Sequence, residues 1–204
     1  MVTFVLMKLN RSSYSKPFSY LLLLFVALLF KLGLSQQNLS DPQEFNQFGL
    51  YHHQKWTPAD NLPVEFIYDI DQDTLGYIWL AGEQGVSRFD GPHFRHYNMS
   101  NTPVLLSDLI YRVEAAPSGK IWLGGPSGLY VYHHGQFSLW KDKTGKPIDQ
   151  IRDIVVDAED RIWLSRVDKL FVLDDDELRL FDTHGLNVVS VFGGRKNKIW
   201  VLCI

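Results

Sequence analysis

The chain has 204 residues, with 20 Lys and Arg against 23 Asp and Glu, a net charge of −3, 46% apolar residues and one cysteine. That composition excludes a disordered chain, an internal disulfide framework and a Cys-based zinc site. With no basic surplus and no basic stripe interleaved with aromatics, nucleic-acid binding has no electrostatic footing either.

Residues 1–35 carry Lys8, Arg11, Lys16 and Lys31, no acid, and an unbroken apolar run from Tyr20 to Phe30. At about 1.5 Å per residue such a run falls well short of a hydrocarbon layer of roughly 30 Å. The segment reads as a secretory signal peptide, with Leu34-Ser35 as its cleavage context. The alternative is an uncleaved anchor extended through Leu34, with Lys31 snorkelling. Setting the leader's +4 aside leaves about −7 on the exported remainder. Residues 36–47 are polar and read as a flexible lead-in.

Trp56 lies eleven residues before Ile67, as Trp140 lies eleven before Ile151. Residues 48–58 therefore read as an outer strand with no companions in front of it. In a closed ring such a strand pairs with the last blade and removes an open edge. The plainer alternative is that Trp56 caps the first repeat.

From residue 64 onward the chain repeats. An Ile-Trp-aliphatic triplet recurs at Trp79, Trp122, Trp163 and Trp200, in steps of 43, 41 and 37 residues. Twelve before each Trp stands Ile67, Ile110, Ile151 or Val188; nine before, Ile70, Val113, Ile154 or Val191. Three before stands Gly76, Gly119, Asp160 or Asn197, types that tolerate positive φ in a tight turn. Downstream the register continues through Val86, Leu129 and Leu170, then Phe89, Tyr132 and Leu173. A fixed period of this size signals a repeat architecture.

Each copy holds four short apolar runs and no helical stripe, which predicts strands near Phe66–Ile70, Tyr77–Ala81, Val86–Phe89 and His93–Tyr97 in the first. The second run is apolar at consecutive positions, so both of its faces must be covered. Blades standing face to face provide that cover. The expectation is an all-β fold, a β-propeller of four-stranded antiparallel blades over 48–204, about three and a half of them present. Their bounds are about 64–107, 108–148, 149–186 and 187–204, the last ending inside a strand, so the chain reads as the N-terminal piece of a longer protein. Gly85 and Gly128 are expected to supply positive φ between the second and third strands. The third copy has Val167-Asp168-Lys169 there, with Asp168 left-handed instead.

Candidate sites are few. His52-His53 and His133-His134 are adjacent pairs whose side chains diverge in a strand, and Asp174–Glu177 lacks the spacing of a calcium loop, so no metal and no cofactor is expected. No nucleophile, phosphate-loop or zincin motif is present, and no catalytic residue is assigned. Asp73 and Asp157 share one repeat position, as do Asp69 and Asp153, which points to a structural role. Polar residues eleven before the Trp, Tyr68, Tyr111 and Arg152, are the ligand-binding candidates, suited to a sugar or a carboxylate.

The runs Ile67-x-x-Ile70-x-Gln72-Asp73-x-x-Gly76-x-Ile78-Trp79-Leu80 and Gly85-Val86-x-Arg88-Phe89-Asp90-Gly91-x-x-Phe94 closely resemble the two-component regulator propeller repeat. Trp56 to Pro63 is similar to the segment that often precedes that family's first repeat. The resemblance spans about residues 48–204, with departures at Ala81-Gly82-Glu83, Ser165-Arg166, Asp160 and Asn197. It implies the periplasmic sensor region of a bacterial protein anchored in the inner membrane, non-catalytic in this stretch, with a histidine kinase or diguanylate cyclase among its downstream domains. The implied partners are an oligosaccharide or other small ligand, those domains, and a second copy in a homodimer. The rival expectations are an exported propeller lyase or glycosidase, and a scaffold that binds no small ligand.

Overall fold

The computed structural model describes residues 54–57, 59, 62, 65–194 and 198–204. The leader, the lead-in, His52-His53, Asn197 and most of the 48–58 strand lie outside them. Blade 1 is a four-stranded sheet of β1 (Ile67–Gln72), β2 (Ile78–Gly82), β3 (Gly85–Phe89) and β4 (Phe94–Tyr97). Blade 2 has β5 (Arg112–Ala115), β6 (Ile121–Gly125), β7 (Gly128–His133) and β8 (Gln136–Leu139). Blade 3 has β9 (Ile151–Val156), β10 (Ile162–Arg166), β11 (Lys169–Asp174) and β12 (Glu177–Phe181), and a fourth sheet pairs β13 (Val188–Gly194) with β14 (Lys198–Cys203). Every neighbouring pair is antiparallel and consecutive in sequence.

The apolar runs are buried because blades cover both faces of them. All five residues of β2 and of β6 are buried. Trp79 packs with Tyr97, Val113, Ile121 and Leu123 between blades 1 and 2. Trp122 packs with Ile148, Ile151, Ile154 and Leu164 between blades 2 and 3, and Trp163 leans on Val188 and Val191. Two positions beyond the Trp the residue stays small, at Ala81, Gly124 and Ser165, because the next blade's inner strand presses there. A Cβ on Gly124 would lie 2.5 Å from Ile151 Cγ2 and 2.7 Å from Ile154 Cδ1. What looked in the sequence like a loss of pattern at Ala81 and Ser165 is thus a size limit.

The turn between the first two strands is built the same way in blades 1 and 3. Asp73 Oδ1 accepts the N–H of Leu75 and of Tyr77, and its Oδ2 accepts the Trp79 indole N–H at 2.8 Å. Asp157 does the same for Glu159, Arg161 and, at 2.9 Å, Trp163. The shared repeat position therefore locks a turn to its Trp. In blade 2 the position holds Ala116, and the buried Nε1 of Trp122 has no hydrogen-bond partner among the described residues. Gly76, Gly119 and Asp160 all take positive φ, at 89°, 81° and 65°, as their shared position predicts.

One expectation needs correction. Gly85 has φ 117°, but Gly128 is not left-handed; it is small because a Cβ would lie 2.8 Å from Tyr130 Cζ and 2.9 Å from Leu139 Cδ1. Trp56 is buried edge-on against Phe89 at 4.9 Å and Phe94 at 6.4 Å, and the rest of the expected 48–58 outer strand lies largely outside the described residues. In the third copy Asp168 is left-handed at φ 58°, and so is Val167 at 47°. A β-branched residue is strained in that region.

Candidate functional site

The inner strands of blades 1, 3 and 4 bulge at the position eleven residues before the Trp, and in blade 2 that residue, Tyr111, lies just ahead of β5. In blade 1, Ile67 pairs with Gly82 and Asp69 with Ala81, which leaves Tyr68 outside the ladder. Arg152 is skipped between Ile151 and Asp153, and Val189 between Val188 and Ser190. In blade 2 the Tyr111 N–H goes to the Gly124 carbonyl, the residue already opposite Arg112. A bulge turns its extra side chain out of the sheet. Tyr68, Tyr111 and Arg152 consequently meet, together with Arg112, around one hollow of about 350 Å³.

The Tyr68 and Tyr111 rings stand edge to face, with centroids 5.9 Å apart. Tyr68 Oη donates to Glu83 Oε1 at 2.5 Å, and that hydrogen bond, ahead of burial, raises the phenol above its usual pKa. Arg152 lies 3.6 Å from Asp168. Glu83 and Asp168 both belong to turns between second and third strands, so the hollow opens at that end of the blades. Sequence position brought Tyr68, Tyr111 and Arg152 forward; Arg112 was missed. Its only signal was a departure, since the same position holds Asp69 and Asp153 in the flanking copies.

Beneath the hollow the inner strands are latched to one another. Asp69 Oδ2 accepts the Val113 N–H at 3.0 Å and Asp71 Oδ2 the Ala115 N–H at 2.7 Å, so blade 1 holds β5 at two points. Asp153, buried, accepts from Arg112 Nε at 2.8 Å, Ser165 Oγ at 3.2 Å, Ser190 Oγ at 2.8 Å and Val191 N at 3.3 Å, tying blades 2, 3 and 4 together. Asp69, Asp71 and Asp153 are thereby engaged in holding the next blade. Glu114 sits between the two latched amides of β5. Burial first, then the charges of Asp71 and Asp69, push its carboxyl up to about 8, against the pull of Arg112. Burial raises Asp69 as well, although its N–H partners oppose the rise.

The other sequence candidates lie in turns. His134 is left-handed at φ 49°, and Asp175 and Asp176 at 46° and 60°, each in a hairpin turn between third and fourth strands. Among the described residues no three or more His, Cys, Asp or Glu gather as a metal would require. Among them, too, no helix is long and apolar enough to cross a membrane.

No family model matches the chain. A stretch of 42 residues is 38% identical to histidine kinase P4 of Formosa agariphila, covering 21% of this chain and 3% of that protein. Among solved structures, the extracellular domain of the proposed hybrid two-component system BT3049 from B. thetaiotaomicron matches with a TM-score of 0.59 and 19% identity, over 76% of this chain and 22% of that one. The extracellular domain of BT4673 from the same organism gives 0.53 and 19%, over 68% and 19%. Virginiamycin B lyase from Staphylococcus aureus gives 0.54 and 16%, over 74% and 53%. The chain thus spans about a fifth of the length of the two extracellular domains it matches.

Blade topology and these likenesses define the class: an all-β propeller of four-stranded antiparallel blades. Within that class, both the repeat sequence and the fold resemble the extracellular regions of two-component sensors.

Proposed function

We propose that this chain supplies the ligand-sensing propeller region of an exported, membrane-anchored signalling protein. The observation that carries the reading is the convergence of three residues of one repeat position, one from each of blades 1 to 3, on a single hollow. Two tyrosine rings and two guanidinium groups suit an oligosaccharide, above all one bearing carboxylates. Arg112 both lines the hollow and pairs with Asp153 at 2.6 Å. An anionic ligand therefore competes with Asp153 for Arg112 and loosens the tie between blades 2 and 3. That differential contact is what a ligand needs to shift an equilibrium toward the downstream domains. In this reading the propeller is periplasmic, and two copies act side by side.

The test replaces Tyr68, Tyr111 and Arg152 by Ala, singly, in the full-length gene, and follows transcriptional induction of the source cells across a panel of polysaccharides. Loss of induction at normal protein level supports the reading; unchanged induction in all three variants refutes it. A second reading, an exported propeller enzyme, is favoured by the likeness to a lyase and by Glu114, a half-buried carboxyl pushed up to about 8. It requires polysaccharide turnover by the chain that Glu114→Gln abolishes.

A further inference from the structure

A second hollow lies at the opposite end of the blades, between the turns that follow β1 and β5 and the turn that follows β7. It holds about 400 Å³ and is walled by Tyr77, Arg88, Tyr132, His133 and His134 among others. At Gly135 it adjoins a hollow of about 510 Å³ that runs along β4 past Arg95. Arg88 is half-buried, its guanidinium 4.4 Å over the Tyr77 ring, and its Nη1 donates to Tyr132 Oη at 3.3 Å. Arg95 stands directly across the ladder from it, 5.3 Å over the Tyr97 ring.

Among the described residues neither arginine has a carboxylate partner, whereas Arg112, Arg152, Arg161, Arg166 and Arg179 each have one. Like charges directly opposite in a ladder repel, and burying an uncompensated guanidinium adds a desolvation cost. Arg88 belongs to the repeat motif, yet blades 2 and 3 form without a charge at its position. The same two positions hold Val131 and Ser138 in blade 2, and Val172 and Arg179 in blade 3. Asp73 also lines the hollow, but both of its oxygens already accept N–H groups. The His133 imidazole is held below its usual pKa by desolvation and then by its neighbours His134 and Lys120. Across the two adjoining hollows Arg88 and Arg95 face the single carboxylate of Asp73, which leaves a positive excess.

We propose that this cleft binds an anionic ligand, one carboxylate or sulfate group docking on Arg88 beside Tyr132 and a second reaching Arg95. A guanidinium offers a rigid fork of donors that matches either group, and hollows of a few hundred Å³ suit a short oligomer. This site goes beyond the sensing hollow and stands or falls separately from it.

The full chain is titrated calorimetrically with tetragalacturonate for the carboxylate arm, a κ-carrageenan tetrasaccharide for the sulfate arm, and galactotetraose as the neutral control. At least one anionic arm binds more tightly than the neutral one, weakening as salt rises. Arg88→Gln and Arg95→Gln each weaken it about tenfold, as loss of a charge-assisted contact does, and Arg88→Lys restores part of the loss. Arg95 is exposed, so its variant reports binding even where Arg88→Gln unfolds the chain. Equal binding of all three probes, unchanged binding in Arg95→Gln, or loss of binding in Arg152→Ala instead, overturns the proposal. The last result assigns the anion to the sensing hollow.

Discussion

Replacing Ala116 by Asp is expected to stabilise the protein, although it places a carboxylate at a position only 1% exposed. The reasoning rests on the flanking blades, where the equivalent Asp73 and Asp157 bind the Trp indole and close the turn. Blade 2 has the same turn, with the Ala116 N–H on the Lys120 carbonyl and the Gly119 N–H on the Ala116 carbonyl. A carboxylate in place of the Ala116 methyl thus meets the orphaned Trp122 Nε1 and the Lys120 N–H without backbone movement. Leaving a buried N–H unpaired costs about 1–3 kcal/mol, and a hydrogen bond to a charged group contributes about 1.5–3 kcal/mol. Against these stands desolvation of the new charge, which Arg161 offsets for Asp157 at 2.7 Å. Lys120 occupies the Arg161 position in blade 2. The net gain is about 1–2 kcal/mol, or a rise in Tm of about 2–8 °C for a chain of this size. For Asp157, burial alone raises the pKa, but the Trp163 and Arg161 hydrogen bonds outweigh it and the carboxyl lies below its usual value. The carboxyl introduced by Ala116→Asp, held the same way, contributes above the ordinary carboxylate pKa near 4 and loses that contribution as pH falls through its lowered value. Urea and thermal melts of the full chain measure the gain, and slowed exchange of the Trp122 indole proton locates it. Ala116→Asn separates geometry from charge. A lower Tm in Ala116→Asp, together with harmless Asp73→Ala and Asp157→Ala, would refute the lock.

Three other outcomes follow from the same contacts. The Glu114 carboxyl titrates near 8 when folded and near its ordinary value when unfolded, so the folded state holds the extra proton in between. Stability is fully present below that ordinary value and falls as pH rises toward 8, by up to about 1.4 kcal/mol per pH unit; urea melts at pH 5 and pH 8 should show Glu114→Gln flattening the slope. Asp153→Ala leaves Arg112 uncompensated and strips Ser190 and Val191 of their acceptor, at a cost of about 3–5 kcal/mol, while Asp153→Asn costs less in the same melts. Val167→Asn removes a β-branched side chain from φ 47° at a half-exposed turn, a gain of about 1 kcal/mol; an unchanged Tm would show that the turn carries no strain.

The blades were legible in the sequence because one spacing imposes one register. Ile67, Ile110 and Ile151 recur where an inner strand starts, and Gly76, Gly119 and Asp160 where a turn demands a left-handed residue. Gly128 was misread because glycine answers two different demands, positive φ and lack of bulk, and only the neighbouring Tyr130 and Leu139 distinguish them. Trp56 is ambiguous for a related reason: an aromatic at that offset matches an outer strand or a cap, and its packing on Phe89 and Phe94 suits either. The hollow was half legible. Repeat position grouped Tyr68, Tyr111 and Arg152, yet nothing in their spacing announces the bulge that turns them out of the sheet.

In a repeat of this kind, agreement between copies marks what the scaffold needs, so disagreement marks where other demands operate. Asp73 and Asp157 agree, and both are consumed by a turn and an indole. Asp69 and Asp153 agree, and both hold the next blade. Arg112 stands between that second pair, and it converts a backbone latch into an ion pair that also faces the hollow. Ala116 breaks the first pair and leaves a buried donor unsatisfied, a defect that Asp removes if geometry alone governs the site. Arg88 and Arg95 stand where blade 2 has Val131 and Ser138, and among the described residues neither has a carboxylate partner, although blade 3 keeps an arginine, Arg179, at the second position. Departures of the first kind have found a partner within the fold. Those of the last kind have not, and a charge kept half-buried without a partner calls for one from outside the chain.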